Sequence, residues 1–474
     1  MDFPIQNGPD RWRDRIVGLD EEVPLLDGRM VPYINLDNAA STPPLREVVD
    51  ALQHFLRYYS SVHRGSGFKS RVSTATYDEA HDTVAHFVGA DTRTNTVIFV
   101  KNTTEAINKL AFRVPLNPDS VVVSTMMEHH SNDLPWRRRA NVVRADVTPD
   151  GRLDEDHVDR LLDEFGERIA LVTVSGASNV TGFVQPIHRL ARKAHAVGAR
   201  IFVDAAQLAP HRRIDVKPDD DPEHLDFVAL SAHKMYAPFG TGALVGRRDV
   251  FLDGAPEHQG GGTVDLVTPT EVHWAGLPDR EEAGTPNVVG AVAMAVAARA
   301  LSGAEMDRIA RHEASLTAHA LECLRALPGV TIYGQSDPRD DSDRVGVIAF
   351  NLHGVHHALV AAILGYEAGI GVRSGCFCAQ PYVAYLLGLG RSEMTDWQRE
   401  QAAGNRWARP GMVRISLGAY NTMEEIDALV EMLWRIIRND YQGQYYQVPE
   451  SGDYKPAGYQ DPPLSRFSLI GCLP

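Results

Sequence analysis

The chain has 474 residues, with 47 Lys plus Arg against 62 Asp plus Glu and a formal net charge of −15. That balance, with no basic run to neutralise phosphates, excludes nucleic acid as a partner. Apolar content of 44% and charged content of 23% are those of an ordinary soluble globular protein, and the length predicts two to four domains.

Residues 1–32 are polar, and 1–19 lack the apolar core of a secretory signal. The longest apolar stretch, 288–298, is broken by Arg299 and is too short for a bilayer, so no membrane partner is expected. The four cysteines, at 323, 376, 378 and 472, are too few for a disulfide framework, which predicts a reducing cytoplasm.

In chain order, 35–44 (NLDNAASTPP) reads as a short strand and turn leading into a helix. His63, in VHRG at 62–65, falls between two helical patterns. A strand at 96–100 (TVIFV) runs into Asn102, Thr103, Thr104 and Glu105. Threonines there are ordinary helix caps, and the same unpaired amides also form an anion site. The strand at 121–124 ends near Glu128, His129 and His130, but no second ligand cluster of recognisable spacing accompanies them, so no metal is expected. A strand at 170–174 brings up Ser178 and Asn179; a helix spans 190–197. The strand at 200–203 then delivers Asp204 and Gln207.

The run at 225–230 (LDFVAL) has strand character and ends at Ser231, Ala232, His233 and Lys234. A lysine where a buried strand ends is set in a pocket, where desolvation depresses its pKa and a neutral amine condenses with a carbonyl. Asp204, at the end of the preceding strand, supplies the carboxylate that a pyridine cofactor needs at its ring nitrogen. Strands alternating with helices imply βαβ units, whose ligands gather beyond the carboxyl ends of strands, and Asn179, Asp204 and the 231–234 turn all fall there.

Beyond this platform, 259–263 is a glycine-rich loop, the segment after it to residue 282 reads as a hairpin, and an apolar helix begins near 288. From about 302 the pattern changes to amphipathic helix, strand at 345–351 and helix at 356–364, a second and smaller domain. In its loop at 371–381, Cys376 and Cys378 are too close along the chain to pair easily. A glycine- and proline-bounded loop leaves a cysteine accessible as a nucleophile. Arg414, on an apolar strand, fits a carboxylate clamp. The tail, 439–474, holds five of the fifteen tyrosines and shows no helical period.

Over about 33–433 these motifs resemble the class V family of pyridoxal-phosphate enzymes, most closely cysteine desulfurases of the SufS type and selenocysteine lyases. The resemblance implies fold type I, the aspartate aminotransferase-like α/β fold with a mainly parallel sheet. It implies an N-terminal segment at 1–32 packed on the small domain, a large cofactor domain at 33–301, a small α+β domain at 302–438 and a tail at 439–474. By resemblance Lys234 carries the cofactor, His129 stacks on the ring, Thr103 and Thr104 hold its phosphate, and Ser231 and His233 also bind it. Asn179 and Gln207 face its phenolic oxygen, Asp204 its ring nitrogen, and Thr285 (in EAGTPN) reaches the phosphate of a neighbouring subunit in a homodimer. His63, Arg373 and Arg414 lie on the substrate side. Cys378 matches the reactive cysteine that takes sulfur from L-cysteine, leaving alanine and a persulfide for an acceptor protein. Three departures stand out: Gly176 and Ala177 where a histidine often precedes Ser-Asn, Cys376 and Phe377 in place of two histidines, and a long insertion at 381–412. They leave selenocysteine lyase, or another class V lyase or aminotransferase, as alternatives.

Overall fold

A computed structural model describes residues 10–304, 306–334, 343–406 and 409–460. The end of the predicted tail, with Cys472, lies outside them. Seven strands form the central sheet: β1 Asn95–Val100, β2 Val121–Thr125, β3 Asn141–Ala145, β4 Ile169–Ser175, β5 Arg200–Asp204, β6 Phe227–Ser231 and β7 Gly242–Arg247. Their order is β1-β7-β6-β5-β4-β2-β3. Only β7 runs against its neighbours. The strands β2 and β6 are buried at every position. Continuous apolar runs of this kind belong to parallel strands covered on both faces.

The helices packed on this sheet include α1 Thr103–Arg113, against β6 and β7, and α2 Ile187–Ala196, against β4 and β5. The helix α3, Val288–Gly303, is apolar on almost every side and packs with Phe68–Phe87 into the main core. It is a core helix; among the described residues no single helix is long and apolar enough to cross a membrane. The hairpin expected after the glycine loop is present, with Val264–Val267 paired to Val272–Trp274.

A second, four-stranded antiparallel sheet follows: β8 Val330–Tyr333, β9 Val347–Leu352, β10 Arg373–Gly375 and β11 Met412–Ser416, in the order β8-β9-β11-β10. It packs with α4 Met306–Ala326, α5 His357–Ala368 and α7 Met423–Ile437; α6, Arg391–Ala402, belongs to the long insertion and buries no residue. The N-terminal segment divides between the layers: Trp12 and Ile16 enter the main core and Arg15 pairs with Glu47, whereas the later residues of the segment lie against this second layer. Leu26 N donates to Tyr366 O, and Ile34–Asn35 pairs parallel to Ile370–Gly371. In the tail, Tyr445–Gln447 and Tyr454–Pro456 form an antiparallel hairpin.

Candidate active site

The carboxyl ends of β4, β5 and β6 open into a cavity of about 630 Å³, whose far wall comes from the second sheet, the insertion and the tail. All three strand ends are expected from runs of apolar residues, and each presents a polar side chain. Ser231, closing β6, accepts a hydrogen bond from Thr103 N at 2.9 Å, which fixes the first turn of α1 beside the lysine turn. Asn102 caps that helix by accepting from Glu105 N at 3.1 Å. The opposite strand meets this turn at Gly242, where a Cβ would lie 2.7 Å from Asn102 Cα, so only glycine lets β7 pass so near.

Lys234 lies half-buried in this cavity with no hydrogen bond or ion pair to its ammonium among the described residues. Burial depresses it to about 8, against the opposing pull of Asp204. Asp204 is itself buried, and that burial raises its carboxyl while the Ala206 amide, 3.0 Å from Oδ1, restrains the shift. Turn residues 41 and 42 brace the lysine turn: Thr42 N and Ser41 Oγ donate to His233 O at 2.9 and 3.1 Å. His233 is driven down to about 4 by burial and by the Lys234 charge.

His129 is also held neutral, at about 3, chiefly by burial. Its tautomer follows from Ser131 N, which donates to Nδ1 at 3.1 Å, so the remaining proton sits on Nε2. Beneath it lies Glu128, which the sequence suggests only as a metal ligand. It accepts from Thr125, Asn132 and both Ser175 groups at 2.6–3.0 Å, and burial raises it to about 7. Glu128 therefore builds the turn that carries His129.

Across the cavity, Arg414 is 3% exposed, a buried guanidinium rather than a surface one. Its Nη2 bonds Asp37 Oδ1 at 2.9 Å, its Nη1 bonds Asn179 O at 3.0 Å, and its Nε has no partner. Arg373 takes the other oxygen of Asp37, also at 2.9 Å. Cys378 is exposed to the cavity, and Cys376 Sγ donates to Pro410 O at 3.1 Å. Burial pushes the Cys376 thiol up to about 11. Both Phe377 and Cys378 adopt left-handed backbone, at φ 52° and 55°.

Twelve of the predicted residues thus share one cavity: Thr103, Thr104, His129, Asn179, Asp204, Gln207, Ser231, His233, Lys234, Arg373, Cys378 and Arg414. His63 and Thr285 do not line it. His63 is exposed, edge-on to Tyr77 and 3.9 Å from Asp279 Oδ1, and Thr285 is exposed beyond the hairpin. Asn179 does a job not foreseen: its Nδ2 donates to Phe377 O at 2.7 Å and so holds the cysteine loop. Also missed were His356, His357, Trp397, Arg406, Arg409 and the 451–453 turn of the tail, which line the mouth. They come from three separate segments with no common motif, and only the Trp- and Arg-rich texture of the insertion hinted at them.

The aminotransferase class-V profile matches residues 34–429. A cysteine desulfurase of Haloferax volcanii is 37% identical over 442 residues, 91% of this chain and 94% of its own. One from Dickeya dadantii is 35% identical, over 92% of this chain and 99% of its own. Among solved structures, the apo cysteine desulfurase from Thermococcus onnurineus NA1 superposes with TM-score 0.75 at 32% identity, covering 86% of this chain and 95% of that one. The Escherichia coli cysteine desulfurase CsdA, in an S-sulfonic acid form, gives 0.75 at 29% identity, covering 92% and 99%.

Proposed function

The chain belongs to the aminotransferase class-V family, and from that premise we propose that it is a pyridoxal-phosphate-dependent cysteine desulfurase. The observation that carries this reading is one cavity holding an unpaired Lys234, a buried Asp204 and an exposed Cys378.

The donor set fits the cofactor. Among the described residues the Lys234 amine and the buried Gln207 Oε1 have no hydrogen-bond partner, and Thr103 and Thr104 open the N-terminus of a helix, a site that favours phosphate. Pyridoxal phosphate, when bound, supplies an electron sink for the bonds at the substrate Cα. Asp204 would keep a proton on the cofactor's ring nitrogen, and His129, held neutral, would lie against the ring without adding a second cation. Lys234 would hold the cofactor through its aldehyde and, as a neutral amine, would accept the substrate Cα proton. Arg414 receives the substrate carboxylate, since its Nε is an unclaimed buried donor. Cys378 thiolate then attacks the substrate sulfur. The S–S bond forms, the C–S bond breaks, and its electron pair stays on carbon and takes a proton, giving alanine and a persulfide on Cys378. Cys376, held as a thiol by burial and by Pro410 O, is not the nucleophile.

The decisive experiment incubates the protein with L-cysteine and measures alanine, sulfide and bound sulfane sulfur. Mass spectrometry should place the added sulfur on Cys378. Cys378→Ala should retain the visible absorbance of bound cofactor and lose alanine formation about a hundredfold or more, the scale expected for removing a nucleophile. Cys376→Ala should remain active. Full activity in Cys378→Ala would sink the assignment.

A homodimer accounts for the two predicted residues outside the cavity. Thr285 and His63 lie exposed, and Leu266, Val267 and Val272 of the neighbouring hairpin are about half exposed or more, at 54%, 57% and 46%. In the dimer Thr285 serves the partner's phosphate site. Sedimentation should show two chains, and Thr285→Ala should weaken cofactor retention; a fully active monomer would contradict this.

A further inference from the structure

At the amino ends of β5 and β6, the pole of the sheet opposite Lys234, three side chains from separate segments converge. His195 comes from the last turn of α2, His224 from the loop before β6, and Asp226 from the residue that precedes that strand. Their ligand atoms all lie within 4.8 Å of one another.

The Nδ1 atoms fix where the ring protons are. His195 Nδ1 lies 2.8 Å from Pro222 O, and His224 Nδ1 lies 2.8 Å from Asp221 O. A carbonyl oxygen only accepts, so each Nδ1 carries a hydrogen. Both Nε2 atoms then face a single carboxylate, at 2.9 Å from Asp226 Oδ2 and 3.4 Å from Asp226 Oδ1. A neutral ring in this place aims a lone pair at an anion. Two charged rings stack like charges, with centroids 4.2 Å apart and planes 17° from parallel. A cation bound at the Nε2 atoms and the carboxylate removes both conflicts. Separations of 2.9 and 3.4 Å are also those between neighbouring ligand atoms around an ion held at about 2.0–2.1 Å.

The outer contacts match as well. Both imidazoles donate their other N–H to backbone carbonyls, and Asp226 Oδ2 accepts from Ile201 N at 2.9 Å, the support that orients metal ligands. Arg247, whose charge reaches His224, is held by Asp219 at 3.1 Å. The two rings keep 18% and 13% of their side-chain surface exposed, which leaves room for water as a further ligand. We propose that His195, His224 and Asp226 bind one divalent transition metal of the zinc class, which prefers imidazole. Lying at the far pole, the ion joins α2 to the loop before β6 and takes no part in sulfur chemistry.

The test uses holoprotein carrying Cys378→Ser, which removes the exposed thiol as a competing ligand. Calorimetric titration with zinc chloride should show one equivalent bound to this parent protein. His195→Ala and His224→Ala should each weaken that phase at least tenfold while visible cofactor absorbance, reporting the remote site, stays unchanged. Should either variant fail to fold, diethyl pyrocarbonate footprinting of the parent decides, because zinc should protect His195 and His224 from modification. Equal zinc binding in parent and variants, absence of binding, or equal labelling with and without zinc would each overturn the proposal.

Discussion

Lys234 owes its reactivity to its surroundings rather than to its own chemistry. Burial brings it to about 8 from 10.5. Below that value each unit of pH lowers the neutral amine tenfold, and above it the amine is already free. Reconstitution of apoprotein with pyridoxal phosphate, followed by visible absorbance, should therefore speed up as pH rises through about 8 and level off beyond; a flat profile would count against the unpaired amine. The lysine and Asp204 were both legible in the sequence, because each ends an apolar run and a strand end is a fixed address in a parallel sheet. Glu128 was not legible in its true role. Its partners Thr125, Asn132 and Ser175 are unremarkable residues until the strands bring them together. His195 and Asp226 stand 31 positions apart and carry no spacing signal at all.

Among the elements, the loop around Cys378 is the most tightly specified. Two consecutive non-glycine residues in left-handed backbone cost of order 1–3 kcal/mol each, so neighbours must hold them. Asn179 binds Phe377 O, His130 N donates to Cys378 O at 2.7 Å, and Gln380 N donates to His130 Nε2 at 3.3 Å. The Arg414 guanidinium lies 4.9 Å over the buried Phe377 ring. His130→Ala removes only the last of the hydrogen bonds, that from Gln380 N, since the backbone amide remains. It should slow persulfide formation several-fold in single-turnover measurements, leaving cofactor absorbance intact; an unchanged rate would show that the loop holds itself. The sequence marked this loop as reactive from its glycines and cysteines. It did not reveal the clamp, whose parts come from three other elements. The hairpin after the glycine loop was legible in the sequence, whereas the tail's hairpin was not, although both stretches lack helical period.

For the molecule as a whole, the two sheet layers are joined by a buried ionic knot at Glu313. It pairs with His211 Nδ1 and Arg212 Nη1, both at 2.7 Å, and accepts from Gly346 N at the same distance. These partners hold its carboxyl below the usual range despite burial. A depressed carboxyl contributes stability that is present above its unfolded value, near 4.5, and lost as pH falls through the folded one. Glu313→Gln should cost about 3–5 kcal/mol, as for breaking a buried pair, and should flatten the acid limb of the unfolding curve. Thermal and acid denaturation of the variant beside the parent would check both. The layered α/β architecture was readable from the alternation of strands and helices, but the contact between layers was not, because Glu313 sits on a helix like any other acidic residue.

Asp37 places the substrate clamp in a different light. It pairs with both Arg373 and Arg414, one oxygen each, and so offsets one of the two guanidinium charges, leaving the other for an arriving carboxylate. An arriving carboxylate joins an existing ion cluster instead of discharging an open one. The arriving carboxylate then balances the second guanidinium, and because Arg414 is buried that pairing is screened little by salt, so the amino acid is held chiefly by fit to the unclaimed Nε edge.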